Sequence, residues 1–163
     1  DGIDIPSYDP GTSLAFDDSH VKATATVYPG VQYTRAMAIE GTTLFDEFVV
    51  ESDATHNFDY IFHIENTFAV NCDATLEEAS LGYTENGYQH VLSTKKAVDV
   101  GDSVVITATS GDVSATITVD TAGKEMFLLE TMDNPVSEKR TSILLREKGE
   151  NITFKMQIAF SGK

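Results

Sequence analysis

Apolar and polar residues alternate with a period of two through almost the whole chain. Val21, Ala23, Ala25 and Val27 interleave with Lys22, Thr24, Thr26 and Tyr28. Val113, Ala115, Ile117 and Val119 interleave with Ser114, Thr116, Thr118 and Asp120. Ile152, Phe154, Met156, Ile158 and Phe160 interleave with Asn151, Thr153, Lys155, Gln157 and Ala159. Successive side chains of a strand point to opposite faces, so this pattern places one face in a core and the other in water. A helix cannot use it. The only helical signal is Thr75-Leu76-Glu77-Glu78-Ala79, enough for a single turn with Asp73 as its cap.

The punctuation between the runs fits hairpins. Pro29-Gly30, Glu40-Gly41-Thr42, Ser110-Gly111-Asp112 and Lys148-Gly149-Glu150 each separate two alternating segments. Strands are expected at 20–28, 31–40, 43–51, 57–65, 88–98, 102–109, 113–120, 124–131, 140–147 and 151–161. Phe58, Tyr60, Phe62 and Ile64 share one face, with Asp59, Ile61, His63 and Glu65 on the other. The expected fold is all-β, an antiparallel β-sandwich of about ten strands. Residues 1–13 hold two of the four prolines and read as a linker or strap. Residues 14–163 read as one domain, interrupted by a long connection at 66–87 of the kind that is usually functional or covers another part of the fold.

A chain of 163 residues buries roughly 70% of its unfolded surface. The formal charge of −15 repels nucleic acid and anionic lipid, which excludes both as natural partners. No apolar run approaches the ~20 residues of a membrane-spanning helix. The start has no signal-peptide pattern and reads as a trimmed end. The single cysteine, Cys72, rules out an intrachain disulfide framework and reads as a small half-buried apolar residue.

No set of residues forms a self-sufficient catalytic constellation. Nucleophile elbow, P-loop, dinucleotide fingerprint and C-x-x-C are all absent. Tyr83, Tyr88 and His90 flank Gly82 and Gly87 near the end of the long connection. Aromatic rings stack on the apolar faces of sugars, which makes this trio the foremost carbohydrate-contact candidate, against the alternative of packing at the sandwich edge. His63 reads either as a groove residue touching sugar or as a histidine satisfied by a neighbouring carboxylate. Arg35 stands on an apolar face and is expected to pair with Asp46 or Glu47 across the hairpin, against the alternative of meeting a partner domain, and Arg146 reads likewise. His56 lies between Asp53 and Asp59 without the convergent ligands a metal needs. Asp17-Asp18 and the Asp99, Asp102 pair lack Ca²⁺-loop spacing and read as turn formers. No cofactor and no metal site is expected.

Four segments resemble the C-terminal β-sandwich region of the heparinase II/III and oligoalginate lyase group. They are Tyr33-Thr34-Arg35 through Phe48-Val49-Val50, Phe58-Asp59-Tyr60-Ile61-Phe62-His63, Gly87-Tyr88-Gln89-His90-Val91-Leu92, and Leu144 through Phe154. The second is similar to a "YDY-x-x-H" strand, the third to a "GYQ-aromatic-leucine" strand, the fourth to an "R-x-x-G-x-x-x-x-F" hairpin. The resemblance implies polysaccharide β-elimination in a larger enzyme. This chain would be an inactive C-terminal portion supporting the cleft, with polysaccharide and an upstream catalytic domain as partners, in a secreted or periplasmic bacterial setting. The family's H-x-H … D … H zinc pattern is missing: His20, His56, His63 and His90 are never two apart. Two other readings predict different behaviour. An independent carbohydrate-binding module would bind saccharide in isolation. A structural spacer or adhesion-type domain would bind none.

Overall fold

A computed structural model describes residues 10–162, so most of the expected strap (1–13) lies outside the described residues. Eleven strands follow in order: β1 (Thr12–Phe16), β2 (His20–Tyr28), β3 (Val31–Glu40), β4 (Thr43–Ile64), β5 (Ala69–Cys72), β6 (Thr75–Glu78), β7 (Val91–Val98), β8 (Ser103–Ser110), β9 (Val113–Asp120), β10 (Glu125–Met132) and β11 (Lys139–Ser161). A 3-10 turn, Tyr88–His90, precedes β7. Every pairing is antiparallel. The all-β sandwich expected from the alternation is what the chain forms.

Two long strands organise it. β4 and β11 pair along nearly their whole length, and their register slips where Gly149 opposes His56 and Asn151 opposes Glu51. Residues 52–55 of β4 are thus matched by one residue of β11, and the pair bends there. The first half of β4 pairs with β3 and the last part of β11 with β9. The first half of β11 pairs instead with β10. One continuous hydrogen-bonded network therefore folds into two layers. The larger runs β1-β2-β3-β4-β11-β9-β8-β5, and the smaller runs β4-β11-β10-β7-β6.

Several expectations change here. Segments 43–51 and 57–65 are one strand, as are 140–147 and 151–161. Gly149 does not adopt the left-handed geometry that closes the hairpins at Gly41 (φ 59°) and Gly111 (φ 56°). Its strand runs on because β4 pairs beside it on both sides of the bend. Thr75–Glu78 is a strand paired with β7 rather than a helical turn. Asp73 holds β8 instead of capping a helix, with Oδ1 accepting from the Val105 N–H at 2.9 Å.

The core lies between the layers. Ile106, Ile117, Val119, Ile152 and Phe154 of the larger sheet meet Tyr60, Ile64, Met126, Ile143 and Leu145 of the smaller. Tyr60 stacks on Phe154 at 5.5 Å and 15° and sits 5.4 Å from Phe48. Each such side chain, fully buried, contributes on the order of 1.5–3 kcal/mol. The smaller sheet is also covered on its far face. There Leu81, Phe127, Leu129 and Leu144 form a second cluster, joined by Tyr88 and Val91. Residues 79–90 lie over one end of that face and leave the other end open.

Candidate functional site

The strand period decides which side chains reach the covered face. On β4 it receives Asp59, Ile61 and His63, opposite the inward Phe58, Tyr60, Phe62 and Ile64. On β11 it receives Arg140, Ser142, Leu144 and Arg146, and on β10 it receives Phe127, Leu129 and Thr131. Cross-strand register aligns His63 with Ser142 and Asp59 with Arg146.

Arg146 fastens the covering segment. Its Nε and one terminal nitrogen donate to the two oxygens of Asp59 at 2.7 and 2.6 Å, and its other terminal nitrogen donates to the Leu81 carbonyl at 2.8 Å. The Tyr88 hydroxyl donates to Asp59 at 2.6 Å. The guanidinium also lies between the Tyr83 and Phe127 rings, at 5.0 and 5.6 Å. Bidentate pairing of this kind fixes geometry as well as adding energy. It holds the Arg146 guanidinium charged, its pKa raised chiefly by the Asp59 hydrogen bonds. Burial, and then Asp59, push the Tyr88 phenol well above its ordinary range.

Beside this anchor an open cleft of about 600 Å³ occupies the uncovered end of the face. Its floor is Ile61, Leu144 and Val91, and one wall is Tyr88 and His90. The rim includes Asp133, Asn134 and Val136 of the turn joining β10 to β11, beside Arg140. Arg140 approaches Asp133 at 3.4 Å. Both carboxylates named here thus face an arginine. His63 also lines the cleft, and its Nδ1 lies 2.5 Å from the Ser142 Oγ. Burial, then the positive charge of Arg140, holds His63 below the ordinary histidine range, with Asp133 opposing. It is neutral at neutral pH. The arrangement offers hydrogen-bonding groups around an apolar floor beside an aromatic ring, the composition of a small-molecule site.

The cleft brings together three of the four residues singled out from sequence: His63, Tyr88 and His90. The fourth, Tyr83, lies behind Tyr88 (ring centroids 5.1 Å apart) and lines a separate hollow with Glu78, Ser80 and Leu92. The hydroxyl of Ser142, not a carboxylate, is the hydrogen-bond partner of His63. Arg35 pairs with Asp46, as its hairpin position predicts. Cys72 is free and half-buried. Asp17 is a turn former, its Oδ1 accepting from the backbone of Ser19 and of His20, both at 2.8 Å. His56 packs edge-on against Phe58 at 5.9 Å.

Arg140, Asp133, Thr131 and Ser142 are cleft or sub-cleft residues that the alternation alone did not flag. The runs Met126-Phe127-Leu128-Leu129 and Ile143-Leu144-Leu145 were the available signal. Uninterrupted apolar residues mark a strand covered on both faces, so the polar residues beside them are not simply solvent-facing.

No family model matches this chain, and no curated protein matches it. Solved structures do. A galactose mutarotase related enzyme from Lactobacillus acidophilus superposes with a TM-score of 0.61 at 10% identity, over 93% of this chain and 71% of that one. A Synechocystis protein gives 0.60 at 7% identity, over 94% and 66%. An Escherichia coli protein described as a candidate aldose 1-epimerase gives 0.59 at 8% identity, over 94% and 69%. The chain spans about two thirds of the length of these neighbours, and the likeness is one of fold.

This overturns the heparinase II/III and oligoalginate lyase resemblance. The neighbours have the fold of galactose mutarotase and aldose epimerase proteins, and the reading as a non-catalytic portion of a polysaccharide lyase falls with it. The reason is physical. The four segments that carried the resemblance are the β3–β4 hairpin with its Arg35–Asp46 pair, the aromatic face of β4, the entry to β7, and the bend of β11. Each is a generic solution to burying one face of an antiparallel strand.

Proposed function

We propose that the chain binds a saccharide in the cleft on the outer face of the smaller sheet. One observation carries this reading: Tyr88, His63, His90 and the Arg140–Asp133 pair surround a single open cleft with an apolar floor. A pyranose presents hydroxyls that both donate and accept, together with apolar C–H faces. The imidazoles of His63 and His90, amides and paired charges satisfy the former, and Tyr88 with Ile61 and Leu144 suits the latter. The sugar-converting descriptions of two neighbours in fold agree with this ligand class. The proposal makes the chain a carbohydrate-binding domain.

Calorimetry of the folded chain against hexoses, neutral oligosaccharides and uronate-containing oligosaccharides tests it. Binding is expected at roughly millimolar to micromolar strength, about −4 to −8 kcal/mol. Ile61→Trp, which fills the cleft from its floor, should abolish it. A chain that is folded by circular dichroism and binds no member of the panel overturns the reading in favour of a ligand-free structural domain.

A further inference from the structure

A chain of hydroxyls runs beneath the cleft. Thr131 Oγ1 lies 2.8 Å from Ser142 Oγ, which lies 2.5 Å from Nδ1 of His63. Ser142 is fully buried, and Thr131, at the edge of the cleft, is only 5% exposed, so the pair is largely shut off from bulk water. Two hydroxyls carry two protons. Were Ser142 to accept from both neighbours, its own proton would meet no acceptor among the described residues, which leaves two directions for the chain. If His63 donates from Nδ1, Ser142 must donate to Thr131. The Thr131 proton is then left without an acceptor among the described residues. If Thr131 donates to Ser142 and Ser142 donates to Nδ1, every proton is used. A buried donor without a partner costs about 1–3 kcal/mol, which selects the second direction. Nδ1 is then an acceptor, and the neutral ring must carry its proton on Nε2.

We infer that Ser142, itself oriented by Thr131, is a positioning residue that locks His63 in the Nε2–H tautomer, so that His63 meets the ligand as a hydrogen-bond donor. The ring edge bearing Nε2 is the one not engaged by Ser142, and His63 lines the cleft. Resting on the saccharide reading, the ligand atom it fits is a ring or glycosidic oxygen. Such an oxygen has no proton of its own and can only accept. Protonating His63 would require Nδ1–H to face a hydroxyl already donating to it, and so would force the Ser142 proton away from the ring. The charged groups facing the ring act in the same setting. Arg140 of β11 opposes protonation and Asp133 of the adjoining turn favours it. His90 and the Arg146-paired Asp59 line the same cleft.

The test reads the ligand-free protein first. Long-range ¹H–¹⁵N correlation spectra of ¹⁵N-histidine protein are recorded across a pH titration, for wild type and for Ser142→Ala. Wild type is expected as Nε2–H, titrating below the ordinary value of about 6.5. Ser142→Ala should populate both tautomers and titrate higher, with burial and Arg140 still acting. A wild-type ring protonated at Nδ1 overturns the inference. So does a folded Ser142→Ala protein whose tautomer and titration match wild type. Should Ser142→Ala fail to fold, the wild-type tautomer alone decides. A second experiment compares methyl hexopyranosides with analogues in which methylene replaces the ring oxygen. Wild type is expected to lose about tenfold in affinity for the analogues, and Ser142→Ala less. An unchanged preference in Ser142→Ala overturns the ligand half. A chain that binds neither sugar overturns the saccharide reading and leaves the tautomer result standing by itself.

Discussion

The molecule contains the same three-residue device twice. Across the β3–β4 hairpin, Arg35, its side chain 44% exposed, donates to both oxygens of the buried Asp46 at 2.9 and 2.6 Å, and the Tyr60 hydroxyl donates to Asp46 at 2.6 Å. On the outer face, Arg146 and Tyr88 bind Asp59 with matching connectivity at 2.7, 2.6 and 2.6 Å. What differs is what each joins. Arg35 and Asp46 belong to the larger layer and Tyr60 to the smaller, so the first triad ties sheet to sheet. Arg146 and Asp59 are cross-strand neighbours in one sheet, and Tyr88 belongs to the segment laid over it. The second triad therefore ties a covering loop to a finished sheet. Equal chemistry should have unequal consequences, because a layer cannot lift away from its partner without unfolding and a loop can.

The sharpest break of that comparison is Arg35→Met. It leaves the Asp46 carboxylate, 2% exposed, facing only the Tyr60 hydroxyl. Because the arginine side of the pair meets water, the cost falls below that of a fully buried pair, to about 2–4 kcal/mol. In a chain of this length each kcal/mol lowers the melting midpoint by roughly 2–4 °C. The loss should be global, lowering the urea midpoint for every probe together. Coincident loss of far-ultraviolet circular dichroism and tyrosine fluorescence would support this. A change confined to one probe would count against it.

Arg146→Met removes the same contacts from a place that can relax. The loop can rise and let water reach Asp59, so the expected cost is smaller, roughly 1.5–3 kcal/mol. It should appear as local opening, with faster hydrogen exchange and protease cleavage in residues 79–90 while the core amides of β8 and β9 keep their protection. Saccharide binding should weaken along with it, since Tyr88 and His90 form a wall of the cleft. Global unfolding with no preceding loop exposure would show that the two triads are equivalent after all.

The difference between the triads also explains what the sequence made legible. Arg35 and Asp46 are eleven positions apart on either side of a Gly41 turn, so a hairpin places them together without knowledge of the rest. Arg146 and Asp59 are separated by 87 positions and meet only through the β4–β11 register. That register could not be read because Lys148-Gly149-Glu150 looks like a turn, and a turn there would divide one strand into two. Ser142 and Thr131 were hidden for a related reason. Alternation implies that polar positions face water, which holds for a sandwich with bare outer faces. Here the outer face carries a cleft, and Ser142 and Thr131 are buried beneath and beside its lining residues, His63 among them. The strands themselves, the inward aromatic face of β4 and the prominence of Tyr88, His90 and His63 follow from local pattern alone.

Paired hydroxyl deletions sharpen the contrast further. Tyr60→Phe removes the donor that joins the layers, and Tyr88→Phe removes the donor that joins the loop. Each deletes one hydrogen bond to a carboxylate, about 1.5 kcal/mol. Tyr60→Phe should show that amount in equilibrium urea unfolding. Tyr88→Phe should show less there, and more as raised exchange in residues 79–90.

The smallest expected effect is a slope with pH, and it tests the same distinction without altering a side chain. Burial and then Asp46 push the Tyr60 phenol upward, and burial and then Asp59 do the same to Tyr88. Burial, with Tyr28 nearby, raises Tyr33 to about 12. Below the unfolded value of about 10, these tyrosines are protonated in both states and contribute no pH dependence. Above it the unfolded chain releases protons that the native chain keeps. Stability must then fall with rising pH, for Tyr33 until about pH 12 and for the other two beyond it. Urea unfolding between pH 9 and pH 11.5 should show this decline. Tyr60→Phe should flatten it more than Tyr88→Phe, because a loop that opens locally lets Tyr88 ionise without unfolding the sandwich. Equal flattening would mean that the loop is held as firmly as the layers, and that the cleft beside it is a rigid site rather than one with a movable wall.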